Sequence, residues 1–191
     1  MKKRISTLLC LLALAMTSMQ AKDYNVKDFG AIGNGKVLDH HAINTAIDSC
    51  VAHGGGRVVL PAGTYLCGSI RMKSHVELHL MAGSKILAAP ASMKAYDEAE
   101  LFEGTAYQDG GHTYFKNSLI YAIGANDVSI TGRGMIDGEG LTRRDTEKGG
   151  NLQGGNIGTG DKAIALKQCR NILIRDVTIY RGGHFGIILT G

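Results

Sequence analysis

The sequence predicts an all-β fold: a right-handed parallel β-helix with a capping α-helix at its N-terminal end. Three observations predict it, namely many short β-branched segments, glycine-rich turns between them and a partial internal repeat. Glycine accounts for 27 of the 191 residues, about twice its usual share, whereas proline accounts for 2. A glycine-rich, proline-poor aliphatic chain is typical of short strands joined by tight turns.

The capping helix is predicted over residues 39–52. Asp39 has the residue type of a helix N-cap, and the run Gly54–Gly56 ends the pattern. Between them, apolar residues recur at three- and four-residue spacing: Ala42, Ile43, Ala46, Ile47, Cys50 and Val51. This spacing places them on one face of a helix, which can cover the open end of a solenoid.

Strands are predicted wherever a short apolar run is bounded by glycine, Asn or Asp. These runs are Tyr24–Val26, Val58–Leu60, Thr64–Leu66, Val76–Leu80, Lys85–Leu87, Leu119–Tyr121, Val128–Ile130, Met135–Ile136, Ala163–Leu166, Ile172–Ile174, Val177–Ile179 and Gly186–Leu189. Two longer segments without apolar periodicity, about 95–117 and 138–160, are predicted as loops that leave the solenoid.

An internal repeat decides between the possible β folds. Residues 125–130 align with residues 169–174, and Ile164 and Ile187 occupy equivalent strands 23 residues apart. Repeats of this length that cannot bury their own apolar face favour a stacked solenoid. An antiparallel sandwich is the alternative, although the dipeptides typical of β-hairpins are scarce.

The N-terminal segment, residues 1–21, is predicted to be a signal peptide with cleavage after Ala21. Lys2–Arg4 precede an apolar run that is too short to span a bilayer. We therefore expect a periplasmic or extracellular protein, with residues 22–191 as one β-helical domain and no membrane span after cleavage.

Charge and cysteine content limit the partners and the chemistry. Without Lys2, Lys3 and Arg4, 18 Lys and Arg face 17 Asp and Glu, so no basic excess remains for nucleic acid. The mature chain keeps three cysteines, Cys50, Cys67 and Cys169. An odd number provides no disulfide framework, and buried apolar thiols are expected.

Several motifs resemble a known group of proteins. Residues 29–39, 54–65 and 74–83 resemble the entry segment of pectin-active right-handed β-helix proteins. Leu119–Ala122 followed by Asn126–Gly140 resembles glycoside hydrolase family 28, the polygalacturonase family, and Cys169–Ile179 is similar to the next coil of that family.

The resemblance implies inverting hydrolysis of galacturonic-acid-containing polysaccharide by paired aspartates, polygalacturonase- or rhamnogalacturonan-type, with no cofactor. In this family the aspartates lie on coils after the one that matches residues 169–191. We therefore expect an incomplete β-helix at the C-terminal end, no catalytic residue in this chain, and an inactive chain on its own. A pectate-lyase-type enzyme and a non-catalytic glycan-binding surface protein are the alternatives.

The candidate substrate-binding residues are His184 and Phe185, with a pectic polysaccharide or oligosaccharide as the partner. They lie beside the place where the family cleft begins, and Gly182, Gly183 and Gly186 would let a ligand approach the backbone. A turn with a packed Phe is the alternative. The oligomeric state is left open.

The other charged residues receive structural or solvent-exposed roles. Asp137 and Glu139 form a pair of carboxylates, but the family motif implies a structural role for Asp137. Asp145, Glu147 and Asp161 are expected on a solvated loop, with contact between one of them and a sugar as the alternative. The cations Lys167, Arg175 and Arg181 would suit a uronate through charge-assisted hydrogen bonds, or would face solvent. No metal site is predicted, because His40 and His41 should point apart on a helix and no third ligand follows at ligand spacing.

Overall fold

The computed structural model describes residues 22–100, 114–142 and 158–191. These residues form a β-helix of five coils with an α-helix at the N-terminal end. The predicted signal peptide, the middle of both predicted loops, and with them Asp145 and Glu147, lie outside the described residues.

The elements follow each other coil by coil, and their bounds are as follows. The first coil contains β1 (Asp23–Asn25) and β2 (Asn34–Leu38), and the helix α1 (His40–Ala52) follows. The second contains β3 (Gly56–Leu60), β4 (Gly63–Cys67) and β5 (Ile70–Arg71). The third contains β6 (Val76–Leu80), β7 (Ser84–Ala88) and β8 (Ser118–Ile123). The fourth contains β9 (Asn126–Gly132), β10 (Met135–Asp137) and β11 (Lys162–Lys167), and the fifth β12 (Arg170–Arg175), β13 (Thr178–Tyr180) and β14 (Phe185–Thr190).

Three sheets run along the solenoid. Sheet A has the order β1-β3-β6-β9-β12, sheet B β2-β4-β7-β10-β13 and sheet C β5-β8-β11-β14. Every pairing between these strands is parallel. The parallel β-helix predicted from the sequence is confirmed, and the antiparallel sandwich is excluded.

The register confirms the internal repeat. Ile172 pairs with Val128 and Ile174 with Ile130 in sheet A, and Ile164 pairs with Ile187 in sheet C. Two strands were missed: β2, in a glycine-containing segment interpreted as a turn, and the two-residue β5. Each forms because the backbone of a strand in a neighbouring coil, β4 or β8, is available to pair with it. Local residue preference does not reveal such distant pairing.

The core is a column of inward-facing side chains, as alternation along each strand requires. The members of this column are buried: Val58, Leu60, Leu78, Leu80, Val128 and Ile130 from sheet A, Tyr65, Ile86 and Ile136 from sheet B, and Ile120, Ile164 and Leu166 from sheet C. Each coil therefore supplies one layer of the core.

Helix α1 caps this column as predicted, but Asp39 acts differently from the expected N-cap. Ile43, Ala46 and Ile47 of α1 are buried against the first coils. Asp39 occupies the N-cap position of α1, and its carbonyl accepts from the backbone N–H of Ile43 at 3.1 Å, but its side chain makes no capping hydrogen bond. Its carboxylate instead accepts from the backbone N–H groups of Ile32 (2.6 Å) and Gly33 (3.0 Å). Asp39 thus fixes the turn before β2.

The cysteines follow the prediction in part. Cys50 and Cys67 are buried free thiols, while Cys169 is half-buried. Burial raises the pKa of both Cys50 and Cys67, which keeps them protonated and unreactive. Cys169 is more exposed because it leads into β12 on the last coil, over which no further coil is described.

Candidate functional site

The two candidate substrate-binding residues lie together at the turn between sheets B and C. His184 directly precedes β14, and Phe185 is the first residue of that strand. Their rings meet edge-on with 4.5 Å between the centroids, and both side chains are half-buried. The structure therefore brings both residues to one place, while their contact with a substrate stays a prediction.

An ion-pair cluster holds one end of this turn. The Arg181 guanidinium donates to Asp137 through Nε (2.7 Å) and Nη2 (2.5 Å), and Nη2 also lies 3.2 Å from Glu139 Oε2. Asp137 is buried, and Lys85 Nζ lies 3.8 Å from it. The hydrogen bonds to Asp137 outweigh burial and raise the pKa of Arg181. Bidentate pairing fixes the orientation of the arginine as well as its charge.

The other end of the turn is held by the preceding coil. The backbone N–H of His184 donates to the Asp161 carbonyl at 2.7 Å, and the N–H of Ala163 donates to Gly182 at 3.2 Å. Gly183 has φ +73°, and a Cβ there would lie 2.5 Å from the Asp161 oxygen. Only glycine combines this backbone conformation with this close approach.

A buried ion pair lies beside the turn, which corrects the expectation for Asp161. Asp161 was predicted on a solvated loop, but it is buried at the start of β11. Its Oδ1 lies 2.5 Å from Nζ of the fully buried Lys162 and 3.4 Å from Nδ2 of Asn117. Lys162 pairs in register with Phe185. The carboxylate thus neutralises a lysine inside the β-helix instead of facing water.

Sequence analysis missed Lys162, although a signal for it exists. Strand alternation places residues 162, 164 and 166 on one face, and Ile164 and Leu166 belong to the core. A lysine in phase with two core residues must be buried, and a buried ammonium requires a charged partner. The adjacent Asp161 is that partner.

A second polar cluster lies on the outer face of sheet C, where Arg71 of β5 and Tyr121 of β8 are in register. Arg71 donates to Asp97 through Nε (2.7 Å) and Nη2 (2.6 Å), and the Tyr121 hydroxyl donates to Asp97 at 2.8 Å. Burial raises the pKa of Asp97, but the hydrogen bonds from Arg71 and Tyr121 outweigh it and leave the pKa lowered. Asp97 therefore carries a stable negative charge.

The histidine pair at the start of α1 differs from the expectation. His40 and His41 were expected to point apart, but their ring centroids are 4.1 Å apart. His40 is buried while His41 is exposed. Burial, assisted by His41 and Arg71, lowers the pKa of His40 to about 4, against the opposing effect of Asp97. Within the described segments no three metal-binding side chains cluster together.

The three cations considered for a uronate do not form one site. Lys167 lies at the end of β11 in sheet C, with Nζ 5.6 Å from the Phe115 ring centroid. Arg175 ends β12 in sheet A and pairs with Asp176 at 3.2 Å. Arg181 follows β13 of sheet B and is occupied by Asp137. Their placement on three different sheets prevents them from holding one ligand together.

The fold and the motifs agree with one family. The family model described as "Rhamnogalacturonase A/epimerase, pectate lyase-like" matches residues 24–190. The chain belongs to this family, and the predicted resemblance to polygalacturonase-like β-helix proteins is confirmed.

Individual relatives give the same picture. An exo-poly-alpha-D-galacturonosidase from Dickeya chrysanthemi is 32% identical over 135 residues, covering 66% of this chain and 21% of that protein. Plasmin and fibronectin-binding protein A from Streptococcus pneumoniae is 33% identical over 156 residues, covering 81% of this chain and 20% of that protein. A family 28 exopolygalacturonase from Yersinia enterocolitica superposes with a TM-score of 0.66 at 28% identity, covering 91% of this chain and 37% of that one. The right-handed β-helix is therefore the shared fold.

The chain spans about a fifth of the length of these two curated relatives. Among the described residues α1 is the longest helix, and with 13 residues it falls short of the length and apolar character that a bilayer span requires.

The Asp137–Arg181 pair should contribute measurably to stability. Asp137→Asn keeps the shape of the side chain but leaves Arg181 and Lys85 without their buried carboxylate. We expect a loss of about 2 kcal/mol in the free energy of unfolding, measured by urea denaturation. The matched control is Asp48→Asn, which breaks the exposed Lys73–Asp48 pair (2.6 Å) and should cost less than about 1 kcal/mol. Equal losses of unfolding free energy in the two variants would contradict a stabilising role of Asp137 beyond that of an exposed ion pair.

The buried His40 should make the stability depend on pH. Because its pKa is lowered in the folded state, the unfolded chain binds more protons between about pH 4 and pH 6.5. The free energy of unfolding should therefore fall as the pH drops through this window, by an amount on the order of 2 kcal/mol.

The test for His40 compares the slopes of two variants. His40→Gln should flatten the dependence of the free energy of unfolding on pH across this window. His53→Gln, at the exposed other end of α1, should keep the slope of the parent chain. An unchanged slope in His40→Gln would assign the pH dependence to another group.

Proposed function

We propose that this chain forms the N-terminal coils of an exported glycoside hydrolase that acts on galacturonic-acid-containing polysaccharide. In this proposal the catalytic aspartates lie on further coils that stack on β12, β13 and β14. The chain itself supplies the first part of the cleft, at the turn that carries His184 and Phe185. Support for the substrate class comes from the galacturonosidase and exopolygalacturonase relatives.

The observation that carries this proposal is the exposure of core positions on the fifth coil. Ile187 and Leu189 pair in register with Ile164 and Leu166. The latter two are 0% and 1% exposed, whereas Ile187 is 40% and Leu189 58% exposed. Fully burying one such side chain contributes about 1.5–3 kcal/mol. One further coil would bury both and pair the open backbone edge of β14.

The proposed mechanism assigns binding to this chain and chemistry to the following coils. Inverting hydrolysis requires one carboxylic acid to protonate the glycosidic oxygen and a second carboxylate, about 6.5–9.5 Å away, to activate water. Among the described carboxylates near the turn, Asp137 and Asp161 are buried in ion pairs with Arg181 and Lys162. They position the turn, while the half-buried rings of His184 and Phe185 would form the surface against which a sugar packs.

A non-catalytic glycan-binding surface protein is the second candidate. The match to plasmin and fibronectin-binding protein A, a binding protein by name, covers 81% of this chain against 66% for the galacturonosidase and supports a binding role without catalysis. In this case the same turn would bind a glycan, and further coils would add binding surface without paired aspartates.

Two measurements separate these functions. The purified chain, incubated with polygalacturonate, should release no reducing ends, and turnover by the chain alone would contradict the proposal.

Sequencing of the gene beyond the codon for Gly191 should reveal further coils with paired aspartates. Coils without such aspartates would favour the surface protein, and a stop codon would contradict both candidates. Unsaturated products with ultraviolet absorbance in the presence of calcium would identify a lyase instead.

The binding role of the turn can be tested independently of catalysis. His184→Ala should weaken retention of the chain in polygalacturonate affinity gels by about fivefold to tenfold, as expected for the loss of one side-chain contact. Thr178→Ala, on the same coil but on the exposed outer face of sheet B, is the control and should be retained like the parent chain. Equal retention of all three proteins would exclude His184 as a binding residue.

A further inference from the structure

A second groove lies on the outer face of sheet A, away from the turn that carries His184. It consists of two adjoining cavities of about 960 and 340 Å³, and Arg57 and Glu77 line both of them. Ser129 lines the larger cavity and Arg175 the smaller one. We call the two cavities together the sheet A groove. It extends over strands of five successive coils, from β1 to β12.

The polar groups in the middle of this groove are held in place by each other. Arg57 Nε donates to Glu77 at 3.1 Å, and the Thr131 hydroxyl donates to the other Glu77 oxygen at 2.5 Å. His79 Nδ1 lies 2.8 Å from the same hydroxyl. Burial raises the pKa of Glu77, but the hydrogen bonds from Thr131 and Arg57 outweigh it and leave the pKa lowered. These groups are pre-organised, which reduces the entropy cost of binding a ligand.

One edge of the groove is a ladder of turn residues. His75, Asp127 and Asn171 occupy the same turn in three successive coils, each with a positive φ of 53° to 63°. Asn171 Nδ2 donates to Asp127 Oδ1 at 2.5 Å, and His75 Nδ1 lies 3.0 Å from Asp127 Oδ2. Since adjacent coils are about 4.8 Å apart, the ladder presents polar groups at a regular spacing along the solenoid axis.

The charges and the chemistry of the lining select one class of ligand. The formal charges of the groove cancel: the two cavities carry the cations Lys22, Arg57, Arg133 and Arg175 and the carboxylates Asp23, Glu77, Asp127 and Asp176. An anionic polymer would therefore meet no net positive charge in this groove. The core of a protein interface is apolar and depleted of charged residues, whereas most side chains that line the two cavities are charged or carry a hydroxyl group. Each sugar hydroxyl can both donate and accept hydrogen bonds. A polysaccharide can therefore pair with the donors and acceptors that are fixed along the sheet A groove.

We propose that the sheet A groove is a second carbohydrate-binding site that takes a neutral polysaccharide chain. It goes beyond the function proposed above, because it lies on a different sheet and requires no catalytic coil. A neutral polysaccharide in this groove would leave the turn that carries His184 and Phe185 accessible. The protein would then bind a neutral polysaccharide through sheet A and an acidic polysaccharide through that turn.

The test uses native affinity gels that contain galactan, arabinan, pullulan, galactomannan or hydroxyethyl cellulose. The parent chain should be retarded by at least one of these neutral polymers. Ser129→Glu places a carboxylate in register with Glu77 and Ser129→Arg adds bulk at the same point; each should weaken the retardation at least about tenfold. Two substitutions of opposite charge keep the test valid if one of them impairs folding, which thermal unfolding would reveal.

The matched control is Thr178→Glu, which adds the same charge on the exposed outer face of sheet B. It should be retarded like the parent chain. Absence of retardation by all five neutral polymers would overturn the proposal, as would retardation that both Ser129 variants retain. Retardation by polygalacturonate that the Ser129 variants abolish would also overturn it, because the groove would then select an acidic glycan.

Discussion

The parallel backbone pairing of one coil with the next is the constraint on which the rest of this structure depends. Each coil contributes one thin layer of apolar side chains, too small to be buried by itself. Stacking places Leu78 of β6 beside Ile130 of β9 and continues this column through the solenoid. The helix α1 covers one end of the column. At the other end Ile187 and Leu189 are in phase with the core but exposed, so the same constraint accounts both for the stability of the inner coils and for the open surface of the last one.

The candidate site depends on the points where the chain leaves this pairing. Between sheets B and C the connections are long in the third and fourth coils, and the fifth returns by the short turn that ends in His184. That turn is fixed from both sides, through Asp137 bound to Arg181 and through the backbone oxygen of Asp161. Polar groups at this corner are therefore mostly structural: they neutralise Lys162 and Arg181 and thereby hold the half-buried pair His184 and Phe185 in position.

The solenoid presents its sheets to solvent in different directions, and the two faces considered for binding differ in chemistry. The corner at sheet C carries a histidine and an aromatic ring next to the open end. Sheet A instead carries paired charges and hydroxyl groups from Asp23 in the first coil onward, with the ladder of His75, Asp127 and Asn171 along one edge. A repeated backbone thus produces a repeated surface, which suits a polymeric ligand better than a small molecule.

The sequence by itself determined the strands, the capping helix, the repeat and the family, because these depend on local periodicity and on spacing along the chain. It also placed His184 and Phe185 directly before a predicted strand, Gly186–Leu189. Only the tertiary structure decided the rest: the short strands β2 and β5 form because a neighbouring coil offers them backbone partners. Asp161 is buried beside Lys162, which projects into the core, and His40 is buried with its ring 4.1 Å from that of His41. The backbone partners of β2 and β5 lie in other coils, and local patterns do not identify partners that are distant along the chain.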